Sequence, residues 1–556
     1  QQIAEFTNGI DFTTCDIADH QIKIMAGYNY ETKRLKDIKV SRQGLLSDDL
    51  NDLNLAVGDA MTMSGGQNEY ALLGAFYRLN YSYKGGRYLF ETSGRYDGSS
   101  RFRSGHRFGF FPSASVGWRI SEEPFFGNLK KNIDNVKLRL SYGSLGNQQV
   151  GYYDYIQTIN TNGTMNYIFG DQKKGSYASV SDPNSADLTW ETVSTWNVGL
   201  DLGFLNNRLN LTADAYVRDT KGMQTSGKKL PGAYGANEPK QNAANLRTKG
   251  WELMLTWNDA FKLANKPFRY NLSVGLADNT SEITKFDNPS KILSDYYVGQ
   301  KLGDIWGYVV DGLFRTDEEA ANYNVDQTAV NFVINTAQVN PGLHAGDMKF
   351  VDLDGDHTIS SGSNTADDPG DRKIIGNSLP RYTYSIQGGF DWYGFDFSIY
   401  LQGVGHQDWY PGTNSVFFWG PYARPYSSFI PRDFLSQVWS PENPDAYFPR
   451  PIGYLALGNN RSLGVVNDRY LQNLAYCRVK NITVGYPIPA VWTKKVKIER
   501  LHIYFSGENL FTFSPLKSDY IDPEQASAEN SIQSANGNAK LYPWSKTYSF
   551  GVNVTF

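Results

Sequence analysis

The stretch DLDGDHTISSGSNTADDPGDRK, residues 352–373, carries the clearest chemistry in the chain. Asp352, Asp354 and Asp356 stand at alternate positions, and hard cations such as calcium are held by carboxylate and carbonyl oxygens at that spacing. The main-chain carbonyl of Thr358 falls where a further ligand belongs. Two features depart from the usual calcium loop: His357 stands in place of its turn glycine, and Ser363 takes the twelfth position in place of a glutamate. Closure then falls to Asp367, Asp368 or Asp371. The expectation is a structural calcium or magnesium that stiffens a long loop; a solvated acidic turn is the plainer alternative.

A second group of candidates is aromatic. HQDWYPGTNSVFFWGPYARPY opens the connection 406–469. Ring faces stack on the apolar faces of sugars, while phenol hydroxyls and a guanidinium supply hydrogen bonds. Trp409, Tyr410, Trp419, Tyr422 and Arg424 are therefore candidates for substrate contact, with packing inside the loop as the alternative. Asp519, Asp522 and Glu524 read as an acidic loop that is either solvated or turned toward a covering partner. The six histidines show no metal-ligand spacing, and Cys15 and Cys477 cannot staple a fold of this size. No nucleophile–base set, phosphate-cradling loop or zinc motif is present, so an enzyme is not expected.

Those side chains need elements to carry them, and the elements are strands. Aromatic residues make up 14 % of the 556 residues and charged residues only 20 %, with a net charge of −4 that gives nucleic acid no purchase. No apolar run reaches the roughly 20 residues of a membrane helix. Instead, apolar and polar residues alternate over about fourteen segments, near 20–30, 68–83, 86–97, 107–120, 135–145, 190–203, 208–219, 246–258, 267–279, 381–392, 395–405, 470–486, 498–511 and 544–556. Period two means successive side chains on opposite faces of a strand. In 470–486 the apolar face changes sides, which calls for a bulge near Lys480–Asn481.

Connections alternate between short and long. Brief turns such as KGG (84–86) and LNN (205–207) face long stretches at 31–67, 146–189, 220–245, 280–380, 406–469 and 512–543. A soluble sandwich predicts no such alternation. A transmembrane antiparallel β-barrel does, with short periplasmic turns, long outer loops, an apolar lipid face and a polar bore. The polar row (Glu91, Arg95, Arg119, Lys137, Arg139, Asp201, Asp214, Glu252) is too charged for a dry core but suits a wet lumen. Trp190, Trp196, Trp251 and Trp257 on the outward row fit interfacial girdles. The final YSFGVNVTF alternates to its last residue, an aromatic, as expected of a closing barrel strand read by insertion machinery. The opening QQIAEFTNGIDFTTCD lacks the basic and apolar regions of a signal peptide and reads as the middle of a longer chain.

Several stretches sharpen the reading: RYDGSSRF (95–102), FFPSASVGWRISEEPFF (110–126), LRLSYGSLGNQ (138–148), RVKNITVGYPIP (478–489), GENLFTFS (507–514) and YPWSKTYSFGVNVTF (542–556). In these the chain resembles the C-terminal portion of SusC/RagA-like TonB-dependent outer-membrane transporters. The resemblance implies a 22-stranded barrel filled by an N-terminal plug, with the plug and first strands outside residues 1–556. It implies location in the outer membrane of a Gram-negative bacterium, in contact with its lipid. It also implies active import of oligosaccharides, or in a minority oligopeptides, energised by TonB–ExbB–ExbD through the absent N-terminal part. A SusD-like surface lipoprotein is implied as a lid, which the aromatic loop could contact instead of substrate, with two such pairs as a dimer. Asp-rich loops recur at the 352–373 location in that family. A receptor for a metal chelate or cofactor, a passive porin and a structural outer-membrane protein are the alternatives.

Overall fold

A computed structural model describes residues 2–17, 19–47, 49, 52–168, 174–185, 187–227, 230–330, 342–423, 430–451, 454–458, 462–526 and 542–556. Fifteen strands form one antiparallel sheet in which each is hydrogen-bonded to the next in chain order. They are β1 (Gln2–Ile17), β2 (His20–Arg42), β3 (Met61–Tyr83), β4 (Tyr88–Ser99), β5 (Phe108–Arg119), β6 (Ile133–Asn147), β7 (Glu191–Phe204) and β8 (Leu209–Ser226), then β9 (Lys240–Leu263), β10 (Lys266–Lys285), β11 (Arg381–Trp392), β12 (Phe395–His406), β13 (Tyr476–Ile488), β14 (Arg500–Phe513) and β15 (Thr547–Thr555). This is the wall of a transmembrane β-barrel. Among the described residues β1 and β15 are each paired on one side only.

The fourteen alternating segments are all strands, and β1 is a fifteenth. Asn8 and Gly9 interrupt its alternation and a register shift between Thr13 and Cys15 displaces the rest, so no clean period shows. The expected bulge is present: Val479 and Asn481 pair with consecutive residues Leu401 and Tyr400, leaving Lys480 looped out. Two expected loops are shorter than their sequence suggests. β2 and β3 stay in unbroken register from His20↔Tyr83 to Arg42↔Met61, which reduces 31–67 to residues 43–60. β8 and β9 likewise extend to Ser226 and from Lys240 into 220–245. Beyond the membrane both faces of a hairpin meet water, so nothing imposes the alternation that marks a lipid-facing strand. A separate hairpin, Ile159–Ile168 with Lys174–Val180, lies within 146–189.

The two faces separate as their chemistry requires. Tyr88, Val116, Leu138, Leu140, Trp196, Val198, Leu253 and Leu255 are exposed, and among the described residues no second sheet covers them. On the opposite face the Arg139 guanidinium bridges Asp201 and Asp214, both at 2.9 Å, while Asn197 donates to Asp214 at 2.8 Å. Such charges are tolerable beside a wet bore and prohibitive in hydrocarbon. Aromatic rings gather at the short-turn end: Tyr83 with Tyr88, Phe268 with Phe390, Phe390 with Phe397 and Phe395 with Tyr486, all with centroids 4.8–6.1 Å apart. Trp190 is an exception to the outward row, because it precedes β7 and packs on the buried Phe102 and Phe111.

Among the described residues, a buried apolar core lies outside the wall. It joins three long connections: Tyr308, Leu313, Met348, Phe350 and Ile359 from 280–380; Trp409, Phe418, Trp419, Tyr422, Phe448 and Tyr470 from 406–475; and Ile521 and Ala526 from the last loop. A parallel bridge, Tyr308↔Asn467, and the Arg450–Asp347 ion pair at 2.6 Å tie the first two together. The loops therefore form a packed body and not a loose canopy.

Candidate binding and metal-holding loops

The aromatic candidates sit inside that body. Trp419 is fully buried and Trp409 and Tyr422 nearly so. The Trp419 ring lies 4.8 Å from Phe418 and 5.3 Å from Tyr470, and its indole N–H donates to the Gly412 carbonyl at 3.1 Å. Tyr410 donates to the carbonyls of Leu463 and Val465, and Tyr422 to that of Pro449. Burial holds the Tyr410 hydroxyl well above its usual pKa and pushes that of the neighbouring Tyr447 up to about 12. Rings with both faces packed cannot stack on a sugar. The substrate-contact expectation for Trp409, Trp419 and Tyr422 is thus corrected: a run rich in Trp, Tyr and Phe satisfied a core, and period two or 3.6, which would have told core from surface, is absent in this irregular segment. Arg424 lies outside the described residues.

The acidic loop divides its seven candidates. Carboxylate oxygens of Asp352, Asp354 and Asp356 lie within 4.8 Å of one another. They are oriented by main-chain donors: Gly355 and His357 to Asp352 at 2.6 and 2.9 Å, Asp356 to Asp354 at 3.2 Å, and Thr358 to Asp356 at 2.7 Å. His357 adopts a φ of +65°, the left-handed conformation that glycine takes at no steric cost. Asp371 is fully buried and accepts from the Leu353 and Ser360 N–H groups, both at 2.7 Å. The N–H of Asp356 draws the Asp354 carboxyl down, but desolvation and the charges of Asp371, Asp356 and Asp352 outweigh it and leave Asp354 raised. A divalent cation would relieve that crowding, so this donor set fits one, with Asp371, whose charge also acts on Asp354, as a further carboxylate. Asp367 and Asp368 are engaged elsewhere. Asp367 is exposed and pairs with Lys291 at 2.7 Å, while Asp368 caps the N–H of Ser363 at 3.0 Å.

The last loop corrects a further expectation. Asp522 and Glu524 are not solvated. Arg478, almost wholly buried on β13, bonds Asp522 at 2.6 Å and Glu524 at 2.5 Å, and Lys480 bonds Glu524 at 2.6 Å. The signal was in the sequence: two cations beside a bulge on a wall strand require acidic partners, because an unpaired buried charge is too costly.

A single-layer wall with an apolar outside, a charged inside and a packed cap of loops defines an outer-membrane β-barrel. Residues 4–510 match the family model described as TonB dependent receptor-like, beta-barrel, and the chain belongs to that family. It is similar to the TonB-dependent receptor SusC of Bacteroides thetaiotaomicron, with 30 % identity over 503 residues, 87 % of this chain and 44 % of SusC. It is 27 % identical to TonB-dependent receptor P3 of Formosa agariphila over 97 % of this chain and 51 % of that protein. The RagAB peptide importer in its open–open state shares the fold, with a TM-score of 0.75 and 22 % identity over all of this chain and 54 % of that one. The chain thus spans about half the length of the relatives it matches, and its place is the outer membrane.

Proposed function

We propose that the complete protein imports oligosaccharides across the outer membrane by TonB-dependent transport. The observation that carries this is the wall itself: apolar rows outward, the Arg139–Asp201–Asp214 cluster inward, and a rigid loop body at one end. A charged bore conducts polar solutes, and a cap with its own core gives a SusD-like lipoprotein lid a firm seat. Coupling to TonB–ExbB–ExbD runs through the part of the protein outside this chain, and two lidded barrels associate as a pair. The fold shared with a peptide importer favours oligopeptides as the second reading. The Asp352–Asp354–Asp356 cluster holds calcium or magnesium as an architectural ion. The test is uptake by cells carrying the full-length gene, using labelled oligosaccharides and labelled peptides in parallel, with and without TonB. TonB-dependent uptake of sugar alone supports the first reading and of peptide alone the second; uptake indifferent to TonB overturns both.

A further inference from the structure

The short-turn side of the barrel carries a chemistry that transport does not use. The connections between β3 and β4, β5 and β6, β7 and β8, and β13 and β14 hold eight Lys or Arg, and these together with the β1–β2 turn hold four Asp or Glu, on a chain whose net charge is −4. Two of the connections repeat one arrangement. In PFFGNLKK, residues 124–131, Phe125 and Leu129 are 68 % and 53 % exposed and are followed by Lys130 and Lys131. In PAVWTKKVK, residues 489–497, Val491 and Trp492 are 73 % and 65 % exposed and are followed by Lys494, Lys495 and Lys497.

Each connection is a compact helical turn. The first runs through Pro124–Phe126, with Phe126 buried as its anchor; the second through Ala490–Thr493, with Thr493 buried. Among the described residues, Lys131, Lys494, Lys495 and Lys497 make no ion pair, while Lys130 reaches Glu122 at 3.3 Å. Four large apolar side chains in water at a protein tip are unfavourable, and three clustered ammonium groups repel. Both costs vanish at one kind of surface: a bilayer interface, where aromatic rings rest at headgroup depth and lysines meet anionic phosphates. The second turn also continues the aromatic girdle, because Tyr486, its ring tilted against Phe395 with centroids 4.8 Å apart, lies near the end of β13, three residues before Pro489.

We propose that these two turns bind anionic phospholipid headgroups of the leaflet on the short-turn side, with Trp492 and Phe125 inserted as wedges and Lys494, Lys495, Lys497 and Lys131 as the phosphate contacts. The inference depends on the barrel's place in the membrane and not on what it transports.

The test uses the full-length protein in nanodiscs of phosphatidylethanolamine with one-tenth phosphatidylglycerol, and reads the association of spin-labelled phosphatidylglycerol relative to phosphatidylethanolamine. The wild type is expected to prefer phosphatidylglycerol by about fivefold or more, the size of one lysine's attraction to an anionic surface, and to lose most of that preference at 1 M salt. The variant K130Q/K131Q/K494Q/K495Q/K497Q should show no preference while keeping the heat-modifiable mobility of a folded barrel. A second variant, Trp492→Ser with its lysines intact, should keep part of the preference and lower overall lipid immobilisation at that turn. Equal association of both lipids with the wild type, or an unchanged preference in the folded five-glutamine variant, overturns the proposal.

Discussion

Replacing Trp419 with alanine separates a core residue from a binding platform. Trp419 is fully buried among Phe418, Phe448 and Tyr470. An indole of roughly 200 Å² transferred from water is worth about 5 kcal/mol, and large-to-small aromatic changes in cores cost about 3–5 kcal/mol. The lost indole hydrogen bond to Gly412 adds about 1 kcal/mol at most. Taking about 4 kcal/mol for the body formed by the three loops, its locally opened population should rise by roughly a thousandfold, at about 1.4 kcal/mol per factor of ten. Hydrogen exchange read by mass spectrometry on the full-length protein would show this. Amides of 406–423 and 462–475 should lose protection while those of the wall strand Arg381–Trp392 keep theirs, since the ladders of the wall do not depend on that core. Trp419→Phe should restore most of the protection. Unchanged exchange in Trp419→Ala together with weakened ligand binding would refute the reasoning and return Trp419 to the substrate site.

Three further outcomes follow from the same geometry. Arg478→Ala should release residues 514–526 from the wall at a local cost of about 3–5 kcal/mol, because it strands buried carboxylates, whereas removing the exposed Arg34–Glu69 pair should change stability by under about 1 kcal/mol; exchange of the two regions compares them directly. Calcium should protect residues 342–373 from protease, chelation should remove that protection, and Asp354→Ala with Asp356→Ala should abolish the difference. The loop body should also lose stability in strong alkali. Burial raises Tyr447 to about 12 from an ordinary 10 and raises Tyr410 and Tyr470 as well, so these hydroxyls stay neutral when folded; their contribution is complete below pH 10 and is lost as pH rises through the folded value. Tyrosinate absorbance should therefore show a late fraction that titrates only as the loops open.

The wall was legible because lipid enforces it. Outward positions on β4–β9 must be apolar and inward ones face water, so period two is written over every membrane-crossing segment, and even the bulge at Lys480 shows as a change of side. Where that pressure ends, the reading ended. The outer half of the β2–β3 hairpin, with Lys36, Asp37 and Lys39 opposite Gln67, Gly66 and Ser64, carries no signature of its pairing. The loop body failed differently. Its residue types were read correctly as aromatic and acidic, but exposure depends on partners more than forty positions apart, such as Tyr308 against Phe350 and Arg478 against Glu524, which no local pattern reports.

That contrast bears on how the cap and the wall act together. The wall is held by continuous backbone ladders and the cap by aromatic burial, two contributions that should respond independently to most substitutions. Buried charge joins them: Arg478 and Lys480 belong to a wall strand, Asp522 and Glu524 to a loop whose Ile521 and Ala526 enter the shared core. Ion pairs of this kind contribute little net stability compared with apolar replacements, but they tolerate only one geometry. Their consequence is positional. They fix the last loop against the inner face of the mouth, and through that loop they fix the core formed by the other two. If substrate capture requires the cap to keep one pose over the bore, replacing all four charges with apolar residues should leave the barrel folded yet uncouple the cap's exchange protection from that of β13, whereas Trp419→Ala should weaken the cap and leave this joint in place.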